Sequence, residues 1–270
     1  MPSFPIQRSV IGAQRGVASV LLSTTDPAAQ AIINRIIAVG GTIPTGGSTA
    51  VNDFVTGCKT DSIWPFVHLY GFIGGTNPSH AIDWANPSGT AITWNGSVTS
   101  DVNGSHGDGS SYGDLGFNLT TLLPSNNIHG SVYSRTSGSG SGINLGTDDG
   151  SVFYWLAVNH NGQTDVINGI FATRKTAANT SGGLLALDVN SNARNIVLNG
   201  VVTTSDTTGV PGVFTPNNVW CFGRNDGGAL SDGSSNNICF MSFGSALGAA
   251  GQAKLYTRVQ ALQTALGRNV

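Results

Sequence analysis

Ile196-Val197-Leu198-Asn199-Gly200-Val201-Val202 sets two apolar runs on either side of Asn-Gly. A two-residue hairpin turn needs positive φ at both central positions, which Asn and Gly tolerate best, so this stretch reads as a β-hairpin. The same texture extends outward through the middle of the chain. Short β-prone runs at 67–73, 91–94, 129–136, 152–159, 166–173, 184–189, 195–198, 201–205, 219–223 and 238–243 are separated by Gly, Ser, Asn and Asp clusters. Helical periodicity shows at the two ends. Asp26-Pro27 is a cap followed by Pro at the first helical position. Ala29, Ile32, Ile33, Ile36 and Ile37 then fall on one face, and Gly40-Gly41 ends the helix. A second helix, capped by Ser48 or Thr49, turns Ala50, Val51, Phe54, Val55 and Cys58 to one side. Past Gly251, Leu255, Val259, Leu262 and Leu266 form a single seam with Gly267 as its stop. The expected fold is mainly β, an antiparallel sandwich flanked by helices. It divides into an arm at 1–25, a helical hairpin at 26–64, the sandwich at 65–250 and a helix at 251–270 that packs on the domain.

Composition narrows the function classes. All 14 acidic residues are Asp, and the chain has no Glu. Charged residues make up 10% of the chain, against about 25% in an ordinary globular domain. A surface of Ser, Thr, Asn, Gln and Gly offers little electrostatic repulsion between copies, which suits a subunit packed in an assembly. The net charge is −2 and the 12 basic residues are spread along the chain without a basic patch, so nucleic-acid binding is not expected. No run reaches transmembrane length, and Met1 to Val10 lacks the apolar core of a signal peptide. Cys58, Cys221 and Cys239 cannot form a disulfide framework. Cys221 and Cys239 lie in apolar runs as small hydrophobes, with a bridge between them left open.

Catalysis is not expected. Sandwich glucanases work with a carboxylate pair, usually two Glu on one strand. The Asp groups here, Asp101/Asp108/Asp114 and Asp148-Asp149, sit in Gly-rich turns. Gly138-Ser139-Gly140-Ser141-Gly142 matches the nucleophile-elbow string but lacks its strand-to-helix setting. The five His residues are too dispersed for a zinc site. Calcium is the better metal candidate, at Asp101-Val102-Asn103-Gly104-Ser105, although the bidentate Glu that closes such a loop is absent. No metal ligand is assigned, and an Asx-rich turn accounts for the stretch. Sugar binding needs exposed aromatic faces beside amides and hydroxyls, and the candidates are Trp84, Trp94 and Tyr112. Trp155 and Trp220 lie inside apolar runs and are assigned to the core.

Several stretches carry a family likeness: Tyr70-Gly71-Phe72-Ile73-Gly74-Gly75-Thr76 through Ser79-His80, then Asp83 and Asn86-Pro87. Gly107 through Asp114, Ser131 through Thr136 and Leu255 through Arg268 continue it. Together, over residues 26–270, they resemble tailed-phage virion proteins that carry a laminin-G-like or concanavalin A-like jelly roll. The resemblance implies a jelly-roll sandwich in a tail or head appendage, made in the host cytoplasm and assembled into the virion. Its partners would be other virion proteins and host-surface glycan bound through jelly-roll loops; the low charge and the apolar arm further point to a homo-oligomer, with a trimer preferred. A purely architectural or decorating subunit is the alternative, and an Asp-dependent glycan hydrolase a remote one. The apolar arm at 1–24 is expected to anchor the subunit in the particle.

Overall fold

A computed structural model describes residues 25–124, 126–136, 142–161, 163–169, 175–178, 182–191, 193–207 and 214–270. The arm at 1–24 and most of the Gly138–Gly142 string lie outside the described residues. The chain opens with α1 (Pro27–Ala38) and α2 (Gly47–Thr60), then β1 (His68–Tyr70) and the short α3 (Asn77–His80). Next come β2 (Thr93–Asn95), β3 (Thr99–Asp101), β4 (Gly104–His106), β5 (Tyr112–Asp114) and α4 (Leu119–Leu122). The body continues with β6 (Asn127–Ser134), β7 (Leu145–Asp148), β8 (Phe153–His160), β9 (Gln163–Gly169), β10 (Lys175–Ala178) and β11 (Gly183–Asn190). It closes with β12 (Ala193–Leu198), β13 (Val201–Asp206), β14 (Trp220–Cys221), β15 (Arg224–Asp226), β16 (Ala229–Ser231), β17 (Asn237–Gly244) and α5 (Gly248–Ala265).

The strands form two sheets. The first runs β13-β12-β11-β6-β17-β4-β3, with β1 also on β17; the second runs β10-β9-β8-β7-β14-β5-β2, extended by β15 and β16. Pairing is antiparallel throughout the described strands except between β15 and β7. The architecture is therefore the antiparallel β-sandwich that the strand pattern predicts. Asn199 and Gly200 take φ of 48° and 78°, and they join β12 to β13 as the Asn-Gly pair requires.

Two apolar layers hold the molecule. Between the sheets, Val132, Leu185, Leu187, Met241 and Phe243 of the first meet Leu145, Tyr154, Leu156, Val166 and Cys221 of the second. On the other side of the first sheet, Leu69, Tyr133, Leu184 and Phe240 pack under Ile32, Ile36, Val51, Phe54, Leu255 and Val259 of the helices. The central strands of the first sheet, β6, β11 and β17, are thus buried on both faces. α5 lies on α2 and over β11, so it packs on both the sandwich and the helical hairpin.

Local details depart from the sequence reading in two places and settle a third that it left open. Ile37 is 57% exposed, one position beyond the face that α1 buries. Gly46, at φ 77°, caps α2 in place of Ser48 or Thr49, because the turn after Pro44 brings the chain in with left-handed geometry. Cys221 and Cys239 are free and buried in different layers, one between the sheets and one under the helices, so they do not pair.

Candidate functional site

The helices cover the first sheet, and the outer face of the second is buried along β7, β8, β9 and β14, which leaves its partly exposed β5–β2 end as the β surface on which to look for a site. Strand alternation decides which residues it shows. On β5, a Cβ at Gly113 would meet Trp94 at 2.5 Å and the Cys221 sulfur at 2.7 Å, so Gly113 faces inward. Tyr112 and Asp114 therefore face out. On β2, in register with them, Asn95 lies opposite Tyr112 and Thr93 opposite Asp114. On β14, Cys221 is in the core, so Trp220 points outward, opposite Asp114.

These residues build an aromatic step. The Tyr112 and Trp220 rings stack with centroids 3.7 Å apart and planes 14° apart. Trp220 is the covered member, 5% exposed, and Tyr112 is half-buried on top of it. The Trp220 indole N–H has no hydrogen-bond partner among the described residues. Beside the step, the Asp114 Oδ1 accepts from the Gly116 N–H at 2.8 Å and from the Asn218 Nδ2 at 3.1 Å. Its Oδ2 receives only the longer Asn218 contact of 3.4 Å, which leaves it acceptor capacity.

A second aromatic group lies on the same face across β7. Trp155 alternates with the inward Tyr154 and Leu156, and it clusters with Ile143, Ala157 and Ile167. The Arg224 guanidinium stands 5.3 Å from the Trp155 ring centre and 5.8 Å from that of Phe153. Its terminal nitrogens bond Asp148 at 2.7 Å, Ser231 at 2.8 Å and Asp232 at 3.1 Å. Burial pushes the Asp148 carboxyl above its ordinary pKa, against the opposing pull of the Gly150 N–H and the Arg224 charge.

Of the three proposed sugar-contact residues, the structure brings only Tyr112 to this face. Trp84 is 1% exposed, edge-on to Phe54 at 6.2 Å under the helices, so neither of its faces is open to a sugar. Trp94 turns inward against Phe222 and spends its indole N–H on the Asn77 carbonyl at 2.8 Å. Trp155 and Trp220 are buried, as the sequence suggested, but in the outer layer rather than in the core between the sheets. The missed signal was alternation. Leu145 and Cys221 share the inner face, so each strand neighbour of such a residue must face out.

The remaining polar clusters are structural. His68 and Asp83 bond at 2.7 Å, and Asp83 also holds the Leu69 and Ala85 N–H groups. The His68 ring stacks flat on Phe117 at 3.9 Å, and its Nε2 meets no hydroxyl among the described residues. A triad would need a nucleophile there. A cavity of about 240 Å³ opens between residues 62–67 and 244–247, with His129 lining it. Both His129 nitrogens are committed, to the Ser245 carbonyl at 2.8 Å and the Ser242 hydroxyl at 3.1 Å. Among the described residues no group of three His, Cys or Asp side chains could hold a metal ion. The Asp101 loop is the turn between β3 and β4, with the Asp101 Oδ1 accepting from the Asn103 N–H at 2.7 Å.

Solved structures share the sandwich. Domain 4 of the GH43 extracellular arabinanase of Geobacillus stearothermophilus, in complex with arabinotriose, matches with a TM-score of 0.55 at 17% identity. The match covers 71% of this chain and 98% of that one. The Trypanosoma rangeli sialidase matches at 0.48 and 10% identity, over 78% of this chain and 39% of that one. The Ruminococcus gnavus IT-sialidase CBM40 matches at 0.39 and 12% identity, over 47% and 83%. At 17% identity the likeness to the arabinanase domain is one of fold alone. No protein-family model matches the sequence, and neither does any curated protein.

Proposed function

We propose that this chain is a non-enzymatic, glycan-binding subunit of a tailed-phage virion, with the outer face of its second sheet turned toward host-surface sugar. The observation that carries the reading is the Tyr112 ring, stacked on Trp220 and flanked by Asp114, Asn95 and Thr93. A sugar packs its C–H face on such a ring while its hydroxyls bond the neighbouring amide and carboxylate oxygens. The arabinanase domain of the same architecture is itself in complex with arabinotriose, which supports a sugar ligand for this sandwich. The virion setting rests on the sequence resemblance over residues 26–270 and on the low surface charge. The absence of Glu and the lack of a nucleophile at His68 favour binding over turnover.

A glycan array followed by calorimetry on the full chain tests this. Tyr112→Ala is expected to weaken binding by about tenfold or more, on the scale of the about 1–3 kcal/mol that a planar base gains by stacking on an aromatic ring. Tyr112→Phe keeps the stacking face and should stay close to the parent. A chain that binds no glycan, or binds equally without the Tyr112 ring, overturns the reading. It would then favour the architectural alternative.

A further inference from the structure

We infer that the Tyr112 face selects neutral glycans and rejects those carrying a sialic or uronic carboxylate, an inference that rests on the glycan-binding reading above. The face is anionic. Asp114 sits beside the ring, and its Oδ2 has acceptor capacity that only a donor such as a sugar hydroxyl can use. Asp108 lies in the loop that leads into β5. The Ser110 backbone N–H, then the Ser110 and Ser111 hydroxyls, hold its carboxyl down to about 2, so it is ionised. That loop abuts the one containing Asp232, since a Cβ at Gly233 would collide with the Gly109 carbonyl. Asp232 and Asp226 are 37% and 47% exposed.

Arg224 offsets the Asp232 and Asp226 end of this group, at 3.1 and 3.9 Å, but among the described residues no cation pairs with Asp114 or Asp108. Arg224 is on the face, but its terminal nitrogens are committed to Asp148, Ser231 and Asp232, and its flat surface to the Trp155 and Phe153 rings. Arg35, Lys59, Lys254 and Arg258 belong to the helices, Arg135 and Arg268 meet each other near the C-terminus, and Arg194 is on β12. Lys175 is on β10, at the opposite edge of the sheet from β5 and β2. An acidic sugar would bring a carboxylate to Asp114 with no cation among the described residues to pair it. A neutral one brings hydroxyl donors.

The experiment uses the full chain on an array that carries neutral oligosaccharides beside their sialylated and uronic counterparts. Calorimetry on the tightest matched pair, at 50 mM and 500 mM NaCl, then gives the ratio of affinities. Neutral ligands are expected to bind at least tenfold tighter. The gap should shrink at 500 mM NaCl, where screening shortens the reach of Asp114, and should also shrink in Asp114→Asn. The salt series on the parent chain reads the same effect if the variant does not fold. Tyr112-dependent binding of the acidic member as tight as the neutral one overturns the inference and leaves the glycan reading standing. A neutral preference that salt does not change overturns the electrostatic origin, and a chain that retains no glycan overturns both.

Discussion

His80 has both ring nitrogens committed in the interior. Its Nε2 accepts from the Gly75 N–H at 3.1 Å, which places the proton on Nδ1, the atom 2.8 Å from the Ser105 hydroxyl. A second proton would displace the Gly75 N–H. Burial, and then the positive charge of Arg268, push its pKa down to about 3. In the unfolded chain it returns to about 6.5, so below that pH the unfolded state takes a proton that the fold refuses. The stability it contributes is complete above about pH 6.5 and is lost as pH falls toward the folded value. His129 shifts in the same direction, also through burial. Urea unfolding should show a loss of about 2 kcal/mol from His80 alone between pH 7 and 5. His80→Gln should flatten that limb. A profile flat down to pH 4 would leave acid sensitivity to the carboxylates and contradict this account.

At the scale of the element, α5 depends on a cap from another part of the chain. Its N-cap position is Leu247, which supplies no side-chain bond. The carboxylate of Asp188, on β11, accepts from the Leu247 N–H at 2.8 Å, the Gly248 N–H at 3.1 Å and the Gln252 side chain at 2.9 Å. A buried negative charge at a helix N-terminus also meets the positive end of the macrodipole. Asp188→Ala would strand one buried and two part-buried donors and should cost about 2–3 kcal/mol. Asp188→Asn keeps one acceptor and should cost less than half of that. Denaturant melts of both variants, followed at 222 nm, check the order, and equal stability would contradict it. Nothing near Gly248 in the sequence announces this cap, because Asp188 reads there as one polar residue in an apolar run. The helix periods, the Asp26 cap and the Asn199-Gly200 turn were legible because each is fixed by neighbours a few residues away. The site was only partly so. Alternation tells which residues of a strand share a face, but Trp94, Trp155 and Trp220 differ in which face the sheet order turns outward, and Trp84 lies in a turn outside any strand.

For the whole molecule, the decisive arrangement is a first sheet whose central strands are buried on both sides, with the sugar-binding face proposed on the far side of the second. Residues that join the helices to the sandwich are embedded in both. Trp84 and Phe240 flank Phe54 of α2, with Phe240 5.7 Å from it. Arg268, 2% exposed, donates to the carbonyls of Gly71, Phe72 and Cys239 and to the Gln263 side chain, which ties the segment after α5 to β17 and to the loop following β1. Removing the helices would therefore open one whole face of the central strands of the first sheet to water. Unfolding should be a single transition, with helical signal at 222 nm and tryptophan fluorescence superimposable in urea. Arg268→Ala strands three buried carbonyls, so it should lower the midpoint of both probes together, by an amount corresponding to about 3 kcal/mol. Below that midpoint its glycan affinity should match the parent, because Arg268 lies behind the first sheet and Tyr112 on the outer face of the second. Separate transitions, with helical signal lost first, would show that the helices are a dispensable layer and would contradict a shared core.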